Sequence, residues 1–180
     1  MPQLLRVTEA IRAAGLFNYD GLDPFYADRG TAIHKAAEFD DRGTLDEGTV
    51  DPVEVAAPLA GWRKFKREAA PEIIGIEVAV EDLRLGFRGT ADRRLRIGGR
   101  EGVLDIKRGK PAAWHAIQVA GYAIGLTGLI VPPATFARWD LYLDGEGGYR
   151  LVEHTDPNDY AVFISCVRVA AWKRRKGIDT

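Results

Sequence analysis

Apolar residues recur at helical spacing in some stretches of the chain and at alternate positions in others, and the changes of period mark out its elements. Leu4, Val7, Ile11 and Ala14 repeat every three or four positions, so Leu4 to Ala14 reads as a short helix stopped by Gly15. Asn18 to Arg29 follows neither period, contains Pro24 and reads as a loop. Gly30 to Phe39 is helical again, which puts His34 and Glu38 one turn apart on one face. Asp40 to Pro52 is acidic and reads as a surface loop, and Pro58 to Ala69 returns to helical spacing through Leu59, Trp62 and Phe65.

From there the pattern is of β type. Ile73 to Val80, Leu85 to Ile97 and Gly102 to Lys107 are short runs separated by Glu81-Asp82 and Gly98-Gly99, and they predict three antiparallel strands. Pro111 to Leu126 predicts a helix with Pro111 in its first turn. Thr135 to Leu143 and Tyr149 to His154 predict a hairpin, and Asp156 to Lys176 predicts a long closing helix opened by Asp156-Pro157. Helices, three strands, helix, two strands and helix make an α+β fold, a central mixed β-sheet flanked by helices. No repeat interrupts it, and 180 residues fit one domain spanning 1–180.

Composition narrows the function classes. With 46% hydrophobic and 28% charged residues, the chain has the balance of a soluble protein with a core. The longest apolar candidate, Val119 to Val131, is broken by Gly125, Thr127 and Gly128, so no membrane span is expected. MPQLLRVTEA lacks the features of a secretory signal, and the expected compartment is the cytoplasm. Cys166 is the single cysteine, which excludes an internal disulfide framework, a cysteine-rich zinc site and a four-cysteine iron-sulfur cluster. The net charge of -1 hides segregation: residues 1–60 carry 5 Lys/Arg against 11 Asp/Glu, whereas residues 84–110 carry 9 against 3. That basic stretch is open to two readings, an anion-binding surface with metal ligands inside it or a solvated arginine-rich hairpin.

The chemistry concentrates in the same stretch. If Gly98-Gly99 is a two-residue turn, positions summing to 197 face each other, and Asp92 faces Asp105. Directly opposed residues have Cβ atoms roughly 4.5 to 5.5 Å apart, where two carboxylates repel unless a cation lies between them. A divalent metal is one such cation. The period of two puts Lys107 on the face of Asp105, with Leu104 and Ile106 directed into apolar packing on the other. The bland alternative is an exposed hairpin in which Asp and Lys pair across strands. The chemical one is phosphodiester hydrolysis, in which metal and lysine stabilise charge developing on the phosphoryl oxygens.

These residues resemble the PD-(D/E)XK nuclease superfamily, and within it the RecB-like exonucleases, including lambda-type phage recombination exonucleases. The likeness rests on Glu77, Gly89-x-x-Asp92, Asp105-x-Lys107, Gln118-x-x-x-Tyr122 and upstream His34 in Arg29-Gly30-Thr31-Ala32-Ile33-His34. It implies a restriction-endonuclease-like core and a metal-dependent deoxyribonuclease, with Mg²⁺ or Mn²⁺ as cofactor and DNA as substrate. It also implies metal contact by His34, Asp92 and Asp105, a backbone ligand from the Ile106 carbonyl, a catalytic Lys107, and support from Gln118 and Tyr122. A phage or prophage exonuclease would act in the host cytoplasm, with a recombination or single-strand annealing protein as a partner. An endonuclease of resolvase or restriction type and a DNA-binding relative without catalysis are the alternatives.

Several residues carry two readings each. Glu77 is either a surface carboxylate or part of the metal site. Trp114, Gln118 and Tyr122 form one helical stripe that is either ordinary packing or a border of the DNA path. Lys173, Arg174, Arg175 and Lys176 suit phosphates but also the negative end of a helix dipole. His115 and His154, without a motif around them, read as structural or exposed, and Glu38 as a solvated helix residue.

Overall fold

The computed structural model describes residues 4–17 and 24–178, with the side chains of 24–29 left aside. A two-residue strand β1 (Leu5–Arg6) leads into α1 (Val7–Ala13). The helix α2 (Pro24–Arg42), a 3₁₀ turn at Glu47–Thr49 and α3 (Ala56–Ala69) follow. Then come β2 (Glu72–Asp82), β3 (Phe87–Ile97), β4 (Arg100–Arg108), α4 (Ala113–Thr127), β5 (Ala137–Leu143), β6 (Tyr149–Glu153) and α5 (Asn158–Lys176).

The pattern of expected elements holds, with corrections at boundaries. The N-terminal helix begins only at Val7, because Leu5 and Arg6 are taken into the sheet beside Phe87 and Arg88. The second helix starts at Pro24 rather than Gly30, since proline is tolerated in a first turn; the rest of the expected loop, 18–23, lies outside the described residues. It also runs on to Arg42, so Asp40 and Asp41 are helical and not part of a loop. Pro111 precedes the α4 cap residue Ala112 instead of occupying the first turn.

Among the described residues the sheet has six strands and is mixed. β2, β3 and β4 are antiparallel, β4 and β5 parallel, and β5 and β6 antiparallel. Leu5, Val7, Ile11, Phe87, Ala91, Val103, Val119 and Phe163 bury one face beneath α1, α4 and α5. Ile33, Leu59, Trp62, Phe65, Leu95, Leu104, Ile106 and Leu141 bury the other beneath α2 and α3. This central mixed sheet flanked by helices on both faces is consistent with a restriction-endonuclease-like core.

One irregularity positions the site. Along a single edge of β3, residues 87–88 pair with β1 and residues 93–97 pair with β4, which leaves 89–92 bonded to neither. Ala91 packs on the α4 side whereas Leu95 packs on the α2/α3 side, so the strand changes face across Asp92. On the neighbouring strand Glu77 adopts φ +50°, the left-handed region that a side chain with a Cβ adopts rarely, between pairs Ile76↔Arg93 and Val78↔Ala91. β2 and β3 therefore bend together, and an acid stands at each bend.

Candidate metal and catalytic site

The β3–β4 turn is formed by Gly98 (φ +55°) and Gly99 (φ +82°), the two positive-φ positions a type I′ turn demands. Arg93↔Leu104 and Ile97↔Arg100 set the register at 197 as expected, but the pairing ends one position short of Asp92 and Asp105, where the Asp92 side chain meets the Ile106 amide instead. Both are buried, at 6% and 3% exposure, where a carboxylate is costly unless compensated.

Asp92 is held on both oxygens. Oδ1 lies 3.1 Å from His34 Nδ1 on α2, and Oδ2 accepts the Ile106 amide at 2.6 Å, filling the place of the missing strand partner. Burial pushes the Asp92 pKa up, but His34, the Ile106 amide and Lys107 outweigh it and hold the carboxyl below its usual range. For His34 the balance runs the other way: burial lowers its pKa, but the Asp92 carboxylate and Asp105 beyond it raise it to about 9. Glu77 completes a group with His34 and Asp92 in which one ligand atom from each lies within 4.8 Å of the others. Its Oε1 is buried without a hydrogen bond, 3.6 Å from Arg93 Nη1, and burial plus the charge of Asp92 raises its pKa.

Lys107 sits on the Asp105 face, as strand alternation predicts. Its Nζ is 2.5 Å from Asp105 Oδ2, donates to Gln118 Oε1 at 2.5 Å, and lies 5.2 Å from the centre of the Trp114 ring. Gln118 Nε2 in turn donates to the Tyr122 hydroxyl at 2.9 Å. Burial, Asp92 and Asp140 raise the Asp105 pKa against the pull of Lys107. The ammonium stays charged although burial opposes it, because Asp105 and Asp140 stabilise the cation. Gln118 and Tyr122 are buried beneath the site, and Trp114 stacks on Phe17 at 4.4 Å, so the stripe forms the floor and rim of the site.

A cleft of about 710 Å³ adjoins the unpaired segment of β3, lined by Arg6, Thr8, Arg88, Gly89, Thr90 and Tyr122 among others. The basic stretch behind it is largely consumed by ion pairs: Arg84 with Asp82, Arg93 with Asp41, Arg94 and Arg96 with Glu101, Arg100 with Glu153, and Arg108 with Glu54. Two of these acids, Asp41 and Glu54, come from the acidic N-terminal segment, and the others from elsewhere in the chain. The C-terminal basic cluster lies on the opposite end of α5 from its entry and is partly engaged. Lys173 donates to the Ala13 carbonyl at 2.7 Å and Arg174 pairs with Glu9 at 2.7 Å, while Arg175 and Lys176 are exposed.

Sequence reasoning missed two groups, Arg93 and Asp140, and left His115 between a structural and an exposed role, of which the structure shows the structural one. Arg93 is buried completely, donating to Asp41 and to the Asp92 carbonyl beneath the two bends, with its guanidinium 5.2 Å from the Trp62 ring centre. Asp140 is likewise buried completely, with His154 Nε2 2.6 Å from its Oδ2. His115 is buried, with Nδ1 2.8 Å from the Tyr142 hydroxyl, and burial together with Lys107 lowers its pKa to about 4. The signal available for Asp140 was its alternation with Arg138 and Tyr142 among apolar residues, which marks a polar stripe on one face of a buried strand.

No protein-family model matches the sequence, and none of the curated proteins matches it. Among solved structures, the crystal structure of SSO0001 is similar at 16% identity and a TM-score of 0.48, covering 96% of this chain and 77% of that one. The crystal structure of LHK-Exo in complex with dAMP is similar at 13% identity and a TM-score of 0.46, covering 97% and 93% respectively.

Proposed function

We propose that the chain is a metal-dependent nuclease that hydrolyses phosphodiester bonds in DNA. The observation that carries this reading is the convergence at one break in the sheet of His34, Glu77 and Asp92 with Asp105 and Lys107. The donor set fits a hard divalent cation: carboxylate oxygens, one imidazole, and a buried Glu77 oxygen that lacks a hydrogen bond and that a cation would satisfy. Asp92, Asp105, Glu77 and His34 would hold Mg²⁺ or Mn²⁺. The Ile106 carbonyl, on the strand edge whose amide meets Asp92, would add a ligand. When bound, the ion supplies Lewis acidity toward the phosphoryl group and acidifies water for attack.

The residues of the chain do the rest. Lys107 presents a fixed, desolvated ammonium to charge that develops on the phosphoryl oxygens, worth far more there than in water. Gln118 holds that ammonium in place and Tyr122 holds Gln118. Arg6 and Arg88 line the adjoining cleft as candidate phosphate contacts. The finer reading is an exonuclease of phage recombination or repair, supported by the resemblance of Gln118-x-x-x-Tyr122 downstream of Asp105-x-Lys107.

Linear and covalently closed circular duplexes, incubated with the purified chain and Mg²⁺, Mn²⁺ or Ca²⁺, test both levels. The expected result is loss of the linear DNA alone, with Mg²⁺ or Mn²⁺. Cutting of the closed circle would replace the exonuclease reading by an endonuclease one, and survival of both substrates would remove the nuclease reading.

A further inference from the structure

The β4–β5 register sets Asp140 directly opposite Asp105, and on the other side of β4 Asp92 lies just past the last β3–β4 pair, its Oδ2 accepting the Ile106 amide. Three buried carboxylates thus form a row across three neighbouring strands. Each has one partner able to carry positive charge: His34 for Asp92, Lys107 for Asp105 and His154 for Asp140. The outermost is only half satisfied. Asp140 Oδ2 receives His154 at 2.6 Å and the Tyr142 hydroxyl at 3.4 Å, whereas Oδ1 is buried and has no hydrogen-bond partner among the described residues.

Native interiors seldom leave a buried acceptor without a partner, and such an atom calls for an explanation. Lys107 supplies one. Its ammonium now rests on Asp105 Oδ2, an oxygen that a divalent cation would claim. Were Asp105 Oδ2 to hold such a cation, the ammonium would have to leave it, and a buried cation without a carboxylate is strongly disfavoured. Lys107, Asp105, Asp140 and Tyr142 share one face, because Asp105 pairs with Asp140 and Lys107 with Tyr142. The unfilled acceptor on that face is Asp140 Oδ1.

We propose that Asp140 is a positioning residue for Lys107, its Oδ1 receiving the ammonium when a divalent cation takes the Asp105 oxygen. His154 and Tyr142 lock the other oxygen and thereby fix the direction of the first. Lys107 is then held beside the ion instead of swinging to solvent. The inference rests on the metal-nuclease reading and extends it to a residue outside the motif.

A crystal structure of the wild-type chain with Ca²⁺ and titrations with Mn²⁺ test it together. The structure is expected to show the ion on Asp92 and Asp105 with Lys107 Nζ hydrogen-bonded to Asp140 Oδ1. Lys107 remaining on Asp105, or projecting into solvent, overturns the inference and leaves the metal site intact. In the titrations Asp140→Asn should weaken Mn²⁺ about tenfold when Lys107 is present and less than about twofold in a Lys107→Met background, because the coupling runs through the ammonium. Equal losses in both backgrounds would mean simple charge removal and overturn it. If Asp140→Asn fails to fold, the Ca²⁺ structure decides, and failure of the wild-type chain to bind either ion removes both the inference and the reading beneath it.

Discussion

Lys107 is held by three different kinds of interaction, an ion pair to Asp105, a hydrogen bond to Gln118 and the face of Trp114, and this restraint makes its removal specific. Lys107→Ala leaves His34, Glu77 and Asp92 in place, so metal and DNA affinity should change little while single-turnover cleavage falls by about 10²-fold or more. Rapid-quench measurement at saturating DNA checks this. His34 gives a second prediction. Its folded pKa is raised from 6.5 to about 9, so the stability it contributes is complete below 6.5 and is lost as pH rises through about 9. A metal needs the neutral ring, so proton and metal compete. Calorimetric titration with Mn²⁺ at pH 7 in buffers of different ionisation enthalpy should show about one proton fewer released by His34→Gln than by the wild type.

Among the elements, the β3–β4 hairpin was the most legible, because Gly98-Gly99 fixes its register and register fixes which side chains share a face. The expectation that Asp92 meets Asp105 followed from that turn, and the place of Lys107 beside Asp105 from the period of two. The place of Asp140 did not, because β4 and β5 are parallel partners joined through α4, and no turn sets the register of a parallel pair. Asp41 was hidden because it meets Arg93 only through tertiary packing, whereas His154 extends the β5–β6 hairpin and reaches Asp140 diagonally across it. The break between β1 and β4 on β3 was equally invisible, as a two-residue strand leaves no periodic trace. Two such tertiary features bear directly on stability. Arg93 and Asp41 are a fully buried pair, so Asp41→Asn should destabilise the fold by roughly 3 to 5 kcal/mol in urea unfolding, by stranding the guanidinium. A Cβ at Gly102 would lie 2.3 Å from the Ala137 carbonyl oxygen, where β4 meets β5. Gly102→Ala should therefore cost about 1 to 3 kcal/mol, because backbone rather than a flexible side chain must yield.

Across the whole molecule, acids from several parts of the chain neutralise the basic central segment, Asp41 and Glu54 from its acidic N-terminal part and Asp82, Glu101 and Glu153 from elsewhere, so little of the positive charge counted along the sequence is left for a polyanion. Arg175 and Lys176 lie exposed at the end of α5, while Lys173 and Arg174 are tied to α1. If the exposed pair holds phosphates, its replacement by alanine should shrink the log-log salt slope of duplex binding by about 0.9 for each phosphate no longer neutralised, with the chemical step unchanged. Filter binding from low to moderate salt would show it. The fold's central act is to open a gap in a buried sheet and collect acids and bases there, and Asp105 is the member shared by the proposed metal site and the lysine. Single-turnover cleavage of a linear duplex in Mg²⁺ by the wild type beside Asp105→Ala addresses that act directly. Cleavage is expected from the wild type, abolished by EDTA and lacking in Asp105→Ala; cleavage that survives either the chelator or the substitution would overturn the metal-nuclease reading.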